Sequence, residues 1–219
     1  MKKFIILTRL LLLPLLIILA GSCSRAEPKI LFGYMELVYY PQNDGFAERY
    51  SFFILPEDDD GVENLDELYL YHDREGLRWI LTYADWIKHE EGGQTWIGSR
   101  NIVMHDNLPM PRGQYRAVLV NKGGESTERR FTYDGPEYPP FPHPVLTVGE
   151  GSYKIDSQYP ENRFIGYDQQ GNIAQTVNLT SLEGSFRDVR LQNTVRTIAL
   201  WAEHPEYRIS VITDPVAFR

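Results

Sequence analysis

Apolar and polar positions alternate along much of the chain with a period of two, the spacing that turns one face of a β-strand to a core and the other to water. Ile30 to Tyr40 is dense in aromatic and aliphatic residues and stops at the turn cluster Pro41-Gln42-Asn43-Asp44-Gly45, which predicts a first strand. Glu48 to Leu55 alternates, with Tyr50, Phe52 and Ile54 on one side, and ends at Pro56 before an acidic loop. Leu65 to His72 and Leu77 to Tyr83 flank Asp73-Arg74-Glu75-Gly76, the length and glycine of a hairpin loop. That hairpin puts Leu68, Leu70 and His72 on one face and Tyr69 and Tyr71 on the other, with Trp79 as its core plug. Tyr83 to Gly93 loses the alternation and reads as a long connection with one turn of helix, while Thr95 to Ile97 and Asn101 to His105 read as short strand pieces.

The pattern returns after Val145 in shorter pieces: Ser152 to Ile155, Arg163 to Tyr167, Ile173 to Leu179, Thr197 to Ala202 and Arg208 to Thr213. Thr180 to Thr194 is ambiguous, its best strand candidate being Asp188 to Leu191. Between the two sets lies Gly135 to Pro144, with Pro136, Pro139, Pro140, Pro142 and Pro144, too much proline for an interior strand or helix. It reads as a semi-rigid linker in which Tyr138 and Phe141 pack between two bodies.

Gly113 to Asn121, the turn Lys122-Gly123-Gly124 and Ser126 to Tyr133 together resemble the last hairpin of fibronectin type III and immunoglobulin-like domains. The resemblance covers roughly residues 30–134, with strands around Glu36, Phe52, Leu70, Ile80, Ile102, Val118 and Phe131. It implies a tyrosine corner at Tyr115. The expected fold is all-β: an immunoglobulin/fibronectin III-like sandwich over 30–134, the linker 135–144, and a second small β-rich domain over 145–219. The 14 Tyr, 10 Phe and 4 Trp suit strands, which favour bulky side chains on a pleated, half-buried surface.

The first residues obey a different logic. Lys2-Lys3, an apolar run from Leu10 to Ala20, and Ala20-Gly21-Ser22-Cys23 form an export signal over 1–22 that resembles the signal of bacterial lipoproteins. The run is too short for a membrane span, which needs about 20 apolar residues, and Pro14 interrupts it. The resemblance implies cleavage before Cys23 and a diacylglycerol on its sulfur. Ala20-x-Ser22 also fits general signal cleavage, so both peptidases stay open. Residues 23–29 then form a short lipid-anchored tether, and Ser24 after the cysteine resembles the signal for outer-membrane delivery rather than inner-membrane retention.

Charge and chemistry narrow the function. Losing Lys2, Lys3 and Arg9 with a leader that holds no acidic residue takes the formal charge from −8 to −11. So acidic a body is repelled by phosphate backbones and anionic headgroups, which argues against nucleic-acid partners and leaves membrane attachment to the lipid. Cys23 is the only cysteine, so a lipidated chain has no thiol left for a disulfide or a nucleophile. The five histidines show no H-E-x-x-H or H-x-x-x-H spacing, and the acidic loop fails the EF-hand pattern because Pro56 stands at its first position. No metal, no catalytic residue and no cofactor beyond the covalent lipid on Cys23 is expected. Trp86 and Trp96, which flank the long connection, are the candidate binding residues.

The expected protein is an exported, membrane-anchored, non-enzymatic envelope lipoprotein that acts by contact with a protein partner or as a structural module. Two alternatives stand beside it: a glycan-binding module built on Trp86 and Trp96, and a hydrolase whose carboxylates come from distant parts of the chain.

Overall fold

The computed structural model describes residues 26–43 and 45–218. The expected leader 1–22, the expected lipidation site Cys23 and residues 24 and 25 of the expected tether lie outside the described residues. The described chain is nearly all β. Lys29–Gln42 (β1) and Gly45–Glu57 (β2) form a long antiparallel hairpin. Leu65–His72 (β3), Leu77–Thr82 (β4), Ile87–Glu91 (β5), Gln94–Val103 (β6), Gly113–Asn121 (β7) and Ser126–Tyr133 (β8) complete the first half. Val145–Gly149 (β9), Ser152–Asp156 (β10), Glu161–Tyr167 (β11), Ile173–Asn178 (β12), Glu183–Ser185 (β13), the helical turn Phe186–Val189 (α1), Thr197–His204 (β14), Ile209–Ile212 (β15) and Val216–Ala217 (β16) make the second.

The strands form one large sheet and two small ones. The large sheet runs β12-β11-β14-β15-β1-β2-β6-β5, with β16 added on β14. The small sheets are β4-β3-β7-β8 and β13-β10-β9. The stretches 30–134 and 145–219 therefore each supply one small sheet and part of the large one. They meet where β1 pairs with β15 in parallel, Leu37 opposite Ile209, and the linker 135–144 separates them in sequence but not in the sheet.

One face of the large sheet is covered along its length. Met35, Leu37, Phe52, Ile54 and Val211 pack there against Leu68, Leu70, Tyr115 and Leu119 of the four-stranded sheet. Farther along, Phe164, Ile198 and Leu200 pack against Tyr153 and Ile155 of the three-stranded sheet and against Phe186. Period-two alternation is what lets each strand serve this arrangement.

Five local expectations change. The 83–93 connection contains β5, an edge strand whose five residues are all exposed; its backbone pairs with β6 although its side chains carry no apolar period. The two pieces around 95–105 are a single strand, β6, with a bulge opposite Ser51. Residues 188–191 do not form a strand: Ser185 caps α1 by accepting from the Arg187 N–H at 3.2 Å, and Phe186 drops into the core. Trp79 lies at the core's edge, with Nε1 donating to the Val103 carbonyl at 2.7 Å. In the linker, Phe141 packs edge-on to Tyr159 but Tyr138 is 73% exposed, so only one of the two aromatics is an anchor.

Candidate functional site

Glu48 and Arg49 stand next to each other in β2, and the pleat sends them to opposite faces of the large sheet. Glu48 turns to the covered face, where it is buried and grips Arg112. Arg112 Nη1 donates to Glu48 Oε2 at 2.7 Å and to the Met110 carbonyl at 2.6 Å. Its Nη2 reaches Glu48 Oε1, the Tyr39 hydroxyl, and the Pro136 and Glu137 carbonyls, all between 3.1 and 3.2 Å. The Met110 N–H also donates to Glu48 at 2.7 Å. Beside this clamp, the Tyr50 and Tyr115 hydroxyls both donate to the Pro111 carbonyl, at 2.9 and 2.6 Å. Burial pushes the Tyr50, Tyr115 and Tyr133 phenols well above their ordinary value, so they remain neutral donors. This cluster fastens the linker to the sheet; it borders a cavity of about 820 Å³, where Arg112 Nε and His143 Nδ1 are buried without a hydrogen bond.

Arg49 turns to the other face, and there the molecule differs. Among the described residues no third layer covers it. The edge strands β5 and β12, at opposite ends of the sheet order, line the same cavity of about 830 Å³, so the sheet curls into an open trough. That volume lies in the range of small-molecule sites. Val38, Ala199 and Ile212 make a small apolar floor, with Tyr40, Tyr167 and Trp201 packed on it.

Charged groups stand on this floor in an uneven pairing. Arg163, directly opposite Trp201 in the β11–β14 ladder, is ion-paired diagonally to Glu203 and lies 5.6 Å from the Trp201 ring centroid. Glu36 accepts from the Ser210 hydroxyl. Burial raises the Glu36 carboxyl above its ordinary range, while that hydrogen bond and the Arg163 charge pull it back. Lys88, on the β5 rim, is held by Glu63 at 2.6 Å. Arg49 and Arg100, in contrast, form no ion pair with any described residue. Arg49 sits 5.0 Å over the Tyr40 ring, and its buried Nε makes no hydrogen bond. Burial lowers its guanidinium from the ordinary arginine value, and the Arg100 charge adds to that. Arg100 reaches the trough from the β6 bulge, next to Gly98, where a Cβ would meet the Phe52 carbonyl oxygen at 2.0 Å. No family model and no curated protein matches this chain. Function must therefore be read from the trough itself.

The residues singled out from sequence fall elsewhere or at its rim. Trp86 is 6% exposed, packed edge-on against Tyr83 within the core, and offers no open ring face. Trp96 is half-buried and tilted 5.8 Å from Tyr34, a trough-lining residue, so it stands at the trough's edge. The two tryptophans do not share a surface. Cys23 is among the residues not described. Sequence reasoning missed Arg49, Arg100 and Glu36; the one available signal was a charge on the outward phase of three otherwise apolar strands.

Proposed function

We propose that the protein is a lipid-anchored, non-enzymatic binding protein of the cell envelope that holds a small ligand in the trough of its large sheet. The observation that carries this reading is the uncovered concave face, where a half-buried arginine stands without a counter-ion beside an aromatic floor. A protein has little reason to desolvate a guanidinium that its own fold does not pair, unless something else does.

Anchorage through Cys23 rests on the leader pattern, and delivery to the outer membrane on Ser24. Ala26, three residues after the cysteine, accepts from Asn121 Nδ2 at 3.0 Å. Three residues reach at most about 11 Å. A lipid on Cys23 would therefore keep the β7–β8 turn close to the bilayer. Among the described residues no helix is long and apolar enough to cross a membrane. An immunoglobulin/fibronectin III-like ancestry for 30–134 is supported by the Tyr115 hydroxyl, which bonds back to the carbonyl four residues upstream, as a tyrosine corner does.

Labelled palmitate should mark the wild type and not Cys23→Ala, and the variant should leave the membrane fraction; label on Cys23→Ala would overturn the anchor. Glycan binding is kept as a second reading by Trp96 beside Tyr34 at the trough's edge. On a glycan array, signals that Trp96→Ala abolishes would favour it over a non-carbohydrate ligand.

A further inference from the structure

We propose that the trough takes an amphiphilic monocarboxylate, its carboxylate held by Arg49 and Arg100 and its apolar or aromatic body lying on the floor beside Tyr167 and Trp201. This rests on the reading of the trough as a binding site and adds the chemistry of the ligand. Three observations lead to it. The guanidinium fork matches a carboxylate in two parallel hydrogen bonds, and Arg49 and Arg100, which form no ion pair with any described residue, line the same cavity. The Arg49 side chain is half-buried over the Tyr40 ring while Arg100 is exposed, so an anionic group entering the trough supplies a counter-charge that the described residues do not. The remaining walls include Ile87, Ile165, Ile173 and Ile212, which suit a hydrocarbon or ring and not a second charge.

The same walls select against a more highly charged anion. Glu36, Glu91 and Glu203 also line the trough, and the chain as a whole is acidic. Glu203 is neutralised by Arg163, and burial favours the protonated form of Glu36, which lets one negative charge in. A dianion such as phosphate meets the residual acidic field with twice the charge and has no apolar body to offer the floor.

The test uses the chain from residue 24 onward with its folding checked by circular dichroism, and reads binding by calorimetric titration alongside the summed fluorescence of its four tryptophans. The probes are 4-phenylbutyrate, octanoate, the neutral isostere 4-phenylbutanol, and inorganic phosphate. The expected result is saturable binding of the two acids, at least tenfold weaker binding of the alcohol, and no competition from phosphate. Arg49→Met should weaken 4-phenylbutyrate at least tenfold. Arg100→Gln, at an exposed position, should weaken it severalfold, and neither change should weaken the alcohol. Equal binding of acid and alcohol, or acid binding unmoved in both variants, would overturn the carboxylate assignment while leaving a trough ligand in place. Phosphate binding tighter than the acids would also overturn it. No saturable response to any of the four probes would remove the carboxylate assignment and the trough reading together.

Discussion

Arg112 and Arg49 lie on opposite faces of one sheet and show what a largely enclosed guanidinium does when it is paired and when it is not. Arg112 meets a carboxylate two ways, three backbone carbonyls and a phenol, all from this chain. Its position is determined from within, and it joins the linker to β2. Arg49, one residue from Arg112's carboxylate partner, has only the Tyr40 ring beneath it and a buried nitrogen with nothing to bond. A satisfied network specifies structure; an unsatisfied charge in a cavity is a request for a ligand. The contrast supports the proposal that the Glu48–Arg112 clamp serves the fold and the trough serves binding.

The sharpest way to break the contrast is to make Arg112 resemble Arg49. Glu48→Ala leaves the Arg112 guanidinium enclosed without its carboxylate and frees the Met110 N–H, which together should lower unfolding stability by about 3 kcal/mol. Urea denaturation measures it. A loss below about 1 kcal/mol would mean that the clamp is no more structural than an exposed ion pair. Because Arg112 also holds the Pro136 and Glu137 carbonyls, the variant should be nicked in 135–144 by protease earlier than the wild type.

The converse change is smaller and of opposite sign. Arg49→Met replaces a partly desolvated, unpaired charge by an apolar chain of similar length. The ligand-free protein should gain about 1 kcal/mol, as residues kept for function often cost stability. Thermal and urea unfolding of the ligand-free variant check this; a loss of stability would show that Arg49 serves the fold, as Arg112 does.

What was legible in the chain divides along the same two faces. The covered face could be read because alternation reports burial: Tyr50, Phe52 and Ile54, and Leu68, Leu70 and His72, all face inward as their spacing predicts. Tyr115 was legible from its hairpin. The trough was not, since the same alternation says only that Glu36, Arg49 and Arg163 face away from that core and cannot distinguish open solvent from a concavity. Curling requires knowing that β1 pairs with β15, residues about 170 apart in sequence and joined by backbone bonds that no side-chain pattern encodes. β5 was missed for a related reason, because an edge strand with Lys88, His89, Glu90 and Glu91 outward has no buried face to mark it. Trp86 misled because a tryptophan next to a charged stretch has the same sequence signature whether its ring turns in or out.

The smallest effect, and the one that ties the trough's occupancy to the stability of the fold, is the pH dependence of Glu36. Burial raises its folded value above 4.5, so the folded protein binds this proton more tightly than the unfolded chain does. Its stabilising contribution is complete below the unfolded value and is lost as pH rises through the folded one. Relative to Glu36→Gln, which cannot titrate, the wild type should lose stability as pH rises from about 4.5 towards neutrality, measured by urea midpoints at a series of pH values. A constant difference between the two proteins would show that Glu36 is not desolvated in the trough. Adding 4-phenylbutyrate sharpens the comparison. A carboxylate on Arg49 brings a second negative charge near Glu36, so the steep part of the curve should move to higher pH with the acid and stay in place with 4-phenylbutanol.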